Sequence, residues 1–267
     1  MQNEKTTRKT AQRGEWIVQT LMQSGAVSVD DLAQRFQVDS STIRRDLEKL
    51  ERQQLLRRVH GGAVPIDPRS YTVYTEEITF QSNMHKQVEE KTRIAQAALQ
   101  LIEPGDSIAL SPGTTTTHLA RAIRQAQIAR LSIVTNALNI AMELAGMRDL
   151  SLTVVGGLLL PDFFALVGPM AEHNLGELYT SKAFIGSHGI NVEHGLTGPN
   201  QLEALSYRAM MRQAHQTIVL ADHTKIGHIA LYRITPVTAM QQLITDSTTP
   251  QAAVLELRAR GVQVQVV

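Results

Sequence analysis

From residue 107 onward, short apolar runs alternate with stretches of helical spacing, and this alternation limits the fold more than any other feature of the chain. Ser107-Ile108-Ala109-Leu110 is followed by Ser111-Pro112-Gly113 and then by Leu119, Ala120 and Ile123 at helical intervals. Leu131-Ser132-Ile133-Val134 leads into Thr135-Asn136 and a helix through Leu138, Ala141, Met142 and Ala145. Leu152-Thr153-Val154-Val155 stops at Gly156-Gly157, and residues 182–186 precede a long polar loop and a helix from about Leu202 to Ala214. Residues 217–221 run up to Asp222, and residues 242–244 run up to Thr245-Asp246. Pro250 then opens a helix that ends at Arg260-Gly261, before a last strand over 262–267. Strands that are continuously apolar are buried on both faces, and strands separated by helices pair in parallel. The pattern therefore predicts an α/β domain with a mainly parallel sheet covered on both sides. A helix carrying Ile94, Ala98, Leu101 and Ile102 on one face precedes it and stops at Glu103-Pro104-Gly105-Asp106.

Ligands of such sheets bind where strand carboxyl ends feed into helices. Gly113-Thr114-Thr115-Thr116 occupies one such junction. Gly113 permits close backbone approach, the threonines carry hydroxyls, and the open amides of a helix start attract an anion such as phosphate. A threonine-rich helix start that binds nothing fits the same residues. Thr135-Asn136 and Gly156-Gly157 sit at two further strand ends, as ligand contacts or as turns. Asp222 and Lys225 bracket His223-Thr224 after another strand, either as a local ion pair or as a ligand-facing acid and base. Glu203, near the start of a helix, fits a simple response to the helix dipole. The chain has no Walker lysine and no G-x-G-x-x-G, which disfavours a nucleotide. Its nine histidines lack the spacing of a metal site, so neither a metal nor a cofactor is expected.

The first sixty residues read differently. Ser28-Val29-Asp30-Asp31 has the form of a capping box, with Leu32, Ala33 and Phe36 as an apolar stripe behind it. Gln37-Val38 makes a tight connection, and Asp39 or Ser40 caps a second helix. On that helix Ile43, Leu47 and Leu50 share one side, while Ser41, Arg45, Glu48 and Arg52 take the other with Arg44 on the flank. Two short helices on so brief a turn, the second carrying arginines, form a helix-turn-helix whose second helix suits the major groove. A solvated charged face on an ordinary helix is the plainer alternative. Upstream, Trp16, Ile17, Thr20 and Leu21 supply a further helix that stops at Ser24-Gly25. Downstream, Leu55-Leu56-Arg57-Arg58-Val59 and His60-Gly61-Gly62 read as a hairpin wing. Ser41, Thr42, Arg44 and Arg45 are the expected contacts of the recognition helix with DNA, with Arg57 and Arg58 serving the wing.

Charge is distributed to match. Residues 1–60 hold eleven Lys and Arg against eight Asp and Glu, whereas the rest of the chain holds fifteen against seventeen. The positive excess thus lies with the helix-turn-helix, as phosphate binding requires, and its modest size favours more than one copy per DNA site. With 267 residues the chain is long enough for two domains, expected at 1–63 and 87–267. Between them runs a linker at 64–86, where Pro65, Asp67, Pro68 and Ser70 break any helix and residues 71–74 form a short extended piece. The absence of cysteine excludes disulfides and thiolate chemistry and fits a reducing cytoplasm. The polar start, Met1 to Arg13, has no apolar core of a signal peptide and reads as a basic arm. No apolar stretch is long enough for a membrane helix.

Taken in order, Thr42-Ile43-Arg44-Arg45-Asp46-Leu47, His60-Gly61-Gly62-Ala63, Gly113-Thr114-Thr115-Thr116, Thr135-Asn136, Gly156-Gly157, Gly195-Leu196-Thr197, Asp222-His223-Thr224-Lys225 and Ile244-Thr245-Asp246 resemble the DeoR family of bacterial transcriptional regulators over nearly the whole chain. The resemblance implies a winged helix-turn-helix joined to a sensor domain similar to ribose-5-phosphate isomerase. It also implies an oligomeric repressor of a sugar operon that a phosphorylated sugar releases from operator DNA. Gly113, Thr114, Thr115 and Thr116 would hold the phosphate, and Thr135, Asn136, Gly156, Asp222 and Lys225 would line the pocket. The chain departs from the family pattern at Ser111-Pro112, where Asp-Ser is common. It departs again at Gln201, where an acidic residue is common, and at Tyr207, where a lysine is common. These changes remove ionisable groups and count against the rival reading, an isomerase that would need Glu203 or Asp222 as base and Lys225 as electrophile. The residues do not distinguish repression from activation.

Overall fold

The computed structural model describes residues 13, 14, 16, 17, 20, 21, 27–52, 56–59, 61–64 and 80–267. The basic arm before Arg13, the stop at Ser24-Gly25, Leu55, His60, the linker breakers and the extended piece at 71–74 lie outside the described residues, as does the side chain of Arg52. The chain divides into two compact units, Met1–Glu76 and Glu77–Val267.

In the first unit, α1 (Val29–Phe36) starts where the Ser28 hydroxyl accepts the Asp31 amide at 3.0 Å. It ends at Gln37, whose left-handed backbone (φ 52°) turns the chain within one residue. In α2 (Ser40–Arg52) the Asp39 carboxylate accepts the Ser41 amide at 2.7 Å, and these bonds to Ser41 hold the Asp39 carboxyl below its ordinary pKa. Ile43, Leu47 and Leu50 pack with Ile17, Leu21, Val29, Leu32, Leu56 and Ala63 into one core. Each large aliphatic side chain buried this way stabilises the unit by about 1.5–3 kcal/mol. The edge of Trp16 meets Phe36 at 5.2 Å, and the Arg35 guanidinium lies 4.1 Å over the Trp16 ring. Strands β1 (Val27–Ser28), β2 (Arg57–Val59) and β3 (Gly62–Val64) form a small antiparallel sheet in the order β1-β3-β2, which is the wing. Gly62 is required there, because a Cβ at this position would lie 2.0 Å from the Val27 carbonyl oxygen.

The second unit is built on a seven-stranded sheet in which every neighbouring pair is parallel. Its strands are β4 (Ser107–Leu110), β5 (Leu131–Thr135), β6 (Leu150–Val154), β9 (Thr180–Gly186), β12 (Ala214–Leu220), β14 (Gln242–Thr245) and β15 (Gln263–Val266), in the order β15-β14-β12-β9-β4-β5-β6. Strand residues alternate between two cores. Ile108, Leu110, Phe184, Ile218, Leu220 and Ile244 face one side, against α4 (Val88–Leu99), α5 (Thr114–Ala126) and α6 (Leu138–Leu144). Ala109, Ala183, Ile185, Val219 and Leu243 face the other, against α7 (Pro169–Gly176), α8 (Gln201–Gln213) and α9 (Gln251–Ala259). Burial on both faces is why these strands read as unbroken apolar runs.

Several elements escape the simple alternation. The polar loop after β9 contains β10 (Gly189–Asn191) and β11 (Gly195–Gly198), which join β13 (Tyr232–Thr235) in a three-stranded antiparallel sheet. Strands β7 (Leu158–Leu160) and β8 (Ala165–Val167) make a separate hairpin. The linker expected over 64–86 gives its last ten residues to the second unit and includes a helix, α3 (Phe80–Met84). Five residues are too few for a helical pattern to register in the sequence, and so short a helix depends on packing. Here the Phe80 ring meets the edge of Phe164 at 5.3 Å.

Candidate functional site

On the first unit, Ser41, Arg44 and Arg45 are exposed on α2 and Thr42 is half-buried beside them. Arg57 and Arg58 are exposed on β2. The two wing arginines differ. Arg58 is engaged with Glu51 of α2, its Nε 3.1 Å from Oε2 and its backbone amide donating to Oε1 at 2.8 Å. Arg13 is bound to the nearly buried Asp46 at 2.6 Å, so that carboxylate braces α2 instead of opposing phosphates. The result is a polar, arginine-bearing helix face on the same unit as an arginine-bearing hairpin.

On the second unit, chain order reverses between β4 and β9: β5 and β6 follow to one side of β4, while β12, β14 and β15 follow beyond β9. Crevices at such a reversal are where α/β sheets bind ligands. A cavity partly open to solvent lies there, lined by Phe80, Asn83, Pro112, Gly113, Thr114, Thr115, Phe163, Gly186, Ser187, His188, Glu203, Tyr207 and Lys225. Gly113 has a backbone (φ 144°) that side chains disfavour, and a Cβ there would lie 3.2 Å from Thr116 Oγ1 and 3.9 Å from Gly186 Cα. The two strand ends therefore meet glycine to glycine. Helix α5 has no capping side chain, and its first helical bond is donated by the Thr117 amide to the Gly113 carbonyl. The preceding amides, Thr114 to Thr116, are the open donors of that helix start.

The cavity brings together Gly113, Thr114, Thr115 and Lys225 of the residues expected from the sequence. The others do not line it. Thr116 is fully buried and its hydroxyl donates back to Gly113 O at 2.9 Å. Thr135 is fully buried, its hydroxyl bonding Leu110 O at 2.8 Å and accepting Ala137 N at 3.1 Å, so it ties β5 to β4. Asn136 donates to Leu166 O at 2.8 Å and is sealed from solvent. Gly156 does not line the cavity; Met170 is its neighbour. Asp222 is buried, accepting from Thr224 N at 3.0 Å and from the Thr224 hydroxyl, and it is not among the residues that line the cavity.

Residues absent from the expected pocket set complete the site. Phe80 and Asn83 come from α3, Phe163 from the turn after β7, and Ser187 and His188 from the loop after β9. Glu203 is only 2% exposed, on a helix start capped by Asn200, which accepts the amides of Leu202 (2.9 Å) and Glu203 (3.2 Å). The Tyr207 hydroxyl lies 2.7 Å from Pro112 O and 3.1 Å from Glu203 Oε1. Burial, reinforced by the Glu203 charge, raises the Tyr207 pKa well above its ordinary value and keeps it a neutral donor.

Behind the cavity, the buried Lys91 ammonium donates to the carbonyls of Asn83 (2.5 Å) and Lys86 (2.6 Å), fastening α3 to α4. Burial lowers its pKa from 10.5 to about 8, against the opposing pull of Asp222. The unfolded chain keeps that proton to higher pH than the folded one, so Lys91 makes stability rise with pH across this window, from about 8 to 10.5. Lys91→Met is expected to cost about 1–3 kcal/mol by stranding two carbonyls and to remove that rise. Thermal melts of both proteins at matched pH values between 7 and 10.5 check it, and parallel curves would refute it.

A winged helix-turn-helix unit on the same chain as an α/β unit with a built cavity is the architecture of a transcriptional regulator. Residues 13–69 match the DeoR-like helix-turn-helix domain and residues 86–247 match the DeoR C terminal sensor domain. The uncharacterized HTH-type transcriptional regulator YulB of Bacillus subtilis is 34% identical over 96% of this chain and 96% of its own length. A putative aga operon transcriptional repressor of Escherichia coli O157:H7 is 32% identical over 99% of this chain and 96% of its own. The chain belongs to the DeoR family of transcriptional regulators. Ribose 5-phosphate isomerase A of Methanocaldococcus jannaschii aligns at TM-score 0.39 and 17% identity over 53% of this chain and 55% of its own, too loosely to bear on activity. Among the described residues no helix is long and apolar enough to cross a membrane.

Proposed function

We propose that this protein is a cytoplasmic repressor of a carbohydrate-utilisation operon, bound to operator DNA as a dimer or tetramer and released by a phosphorylated sugar. Ser41, Thr42, Arg44 and Arg45 read the major groove, and Arg57 and Arg58 hold the adjacent backbone. The single observation that carries the effector half is the anion-ready corner of the cavity, where Gly113, the uncapped start of α5 and Lys225 share one wall system at the strand reversal. Open helix amides and a lysine are complementary to phosphate. The relative whose name is a repressor of the aga operon supports a carbohydrate role. Release requires that the ligand bind the DNA-free arrangement more tightly than the DNA-bound one.

The test is a gel-shift titration of the purified chain against the promoter DNA next to its gene, at fixed salt, followed by addition of sugar phosphates. Retarded DNA should be freed by at least one of them. The same ligand at 100 times its dissociation constant should stabilise the protein by about 2.7 kcal/mol. A flat thermal response to every phosphorylated sugar would refute the effector assignment, and absence of any retarded band would refute the operator assignment.

A further inference from the structure

The cavity has a second electrostatic pole. Glu203 Oε2 is buried and has no hydrogen-bond partner in the protein. The nearest cationic candidate, His188 Nε2, stands 3.7 Å away, beyond hydrogen-bond range. Glu203 Oε1 competes with Pro112 O for the single Tyr207 proton, at 3.1 and 2.7 Å. The nearby Ser111 hydroxyl also points to Pro112 O, at 3.0 Å. The cluster thus has more acceptors than protons, and the surplus falls on a carboxylate at the cavity wall. Two aromatic rings, Phe80 and Phe163, line the same space. The edge of Phe163 packs on His188 at 5.6 Å. A cavity that holds both a carboxylate and aromatic rings is a surrounding that favours a cation.

We propose that the cavity is built for a zwitterionic effector, a phosphorylated amino sugar, with Glu203 as the residue that reads its ammonium group. This deepens the sugar-phosphate reading given above and rests on it. A neutral hydroxyl can also donate to Oε2, but it leaves a buried carboxylate without a counter-charge, whereas an ammonium group supplies both the proton and the charge. Lys225 does not fill that role, since it makes no ion pair with Glu203 among the described residues and remains for the phosphate. The anionic and cationic groups of one small ligand then meet groups of opposite sign in one cavity, with Glu203 linked through Tyr207 to Pro112, the residue before Gly113.

The experiment is calorimetric titration of the full chain with glucosamine 6-phosphate and galactosamine 6-phosphate, each beside its neutral counterpart, glucose or galactose 6-phosphate. At least one amino sugar phosphate should bind about tenfold or more tightly than the sugar phosphate with a hydroxyl in its place, the strength of one charge-assisted bond. Glu203→Gln, close to isosteric, should bring that preference to near unity. Phe163→Leu, at a half-buried position, should weaken the amino ligands severalfold with the fold intact by circular dichroism. Neutral sugar phosphates binding as well as the amino ones, or a preference that survives Glu203→Gln, would overturn the ammonium assignment and leave the phosphate reading standing. If no phosphorylated sugar binds, both fall together.

Discussion

Arg45→Ala should lose operator binding while keeping its fold and its affinity for sugar phosphates. Arg45 is exposed on α2, opposite the side that buries Ile43 and Leu47, so its removal leaves the core untouched. An arginine bonded to a base edge contributes about 1–3 kcal/mol of discrimination. Operator affinity should therefore fall about 5- to 150-fold per contact, with binding to unrelated DNA much less affected. Arg57→Ala should instead weaken all DNA similarly and flatten the salt dependence by about one unit of slope, the mark of a phosphate contact. Arg58 starts from a different position, because Glu51 already holds it at 3.1 Å. That exposed pair is weak enough to be exchanged for a phosphate, so Arg58→Ala should cost less than Arg57→Ala. Gel shifts at several salt concentrations measure all three, and an unchanged operator affinity for Arg45→Ala would remove α2 from the recognition surface.

Gly113→Ala should abolish the response to effector while sparing DNA binding. A side chain at φ 144° is strained, and its Cβ would press on Thr116 Oγ1 at 3.2 Å, in the turn that presents the open amides. Strain of this kind is of order 1–3 kcal/mol, and relief by moving the loop would misalign those donors. The variant should therefore melt earlier, show no stabilisation by sugar phosphates and remain on operator DNA in their presence. A variant released from DNA as readily as the native protein would show that the amides of α5 do not hold the ligand.

Much of the fold is legible because burial on both faces writes itself as unbroken apolar strands, and burial on one face as helical spacing. Ile43, Leu47 and Leu50 follow the second rule and are at most 7% exposed. The site is less legible. Gly113, Thr135, Asn136 and Gly156 all stand at strand ends, but only the ends of β4 and β9 flank the reversal of strand order. Strand order is set by long-range pairing and leaves no mark in a local alternation. Nor does position at a strand end fix direction: Thr135 and Asn136 turn inward and bond Leu110 and Leu166. Phe80 and Phe163 sit in short, irregular stretches where no period singles them out. Glu203 is visible as a helix-start carboxylate, whereas its unpartnered oxygen depends on Tyr207 one turn along the same helix being drawn to Pro112, distant in sequence.

The five-residue helix α3 has one more consequence. Among the described residues it is the first element after the boundary at Glu77, it contributes Phe80 and Asn83 to the cavity, and Lys91 holds it by the Asn83 carbonyl and the chain just beyond it by the Lys86 carbonyl. A helix that short has almost no stability of its own, so whatever fills the cavity also governs how much of α3 stays wound.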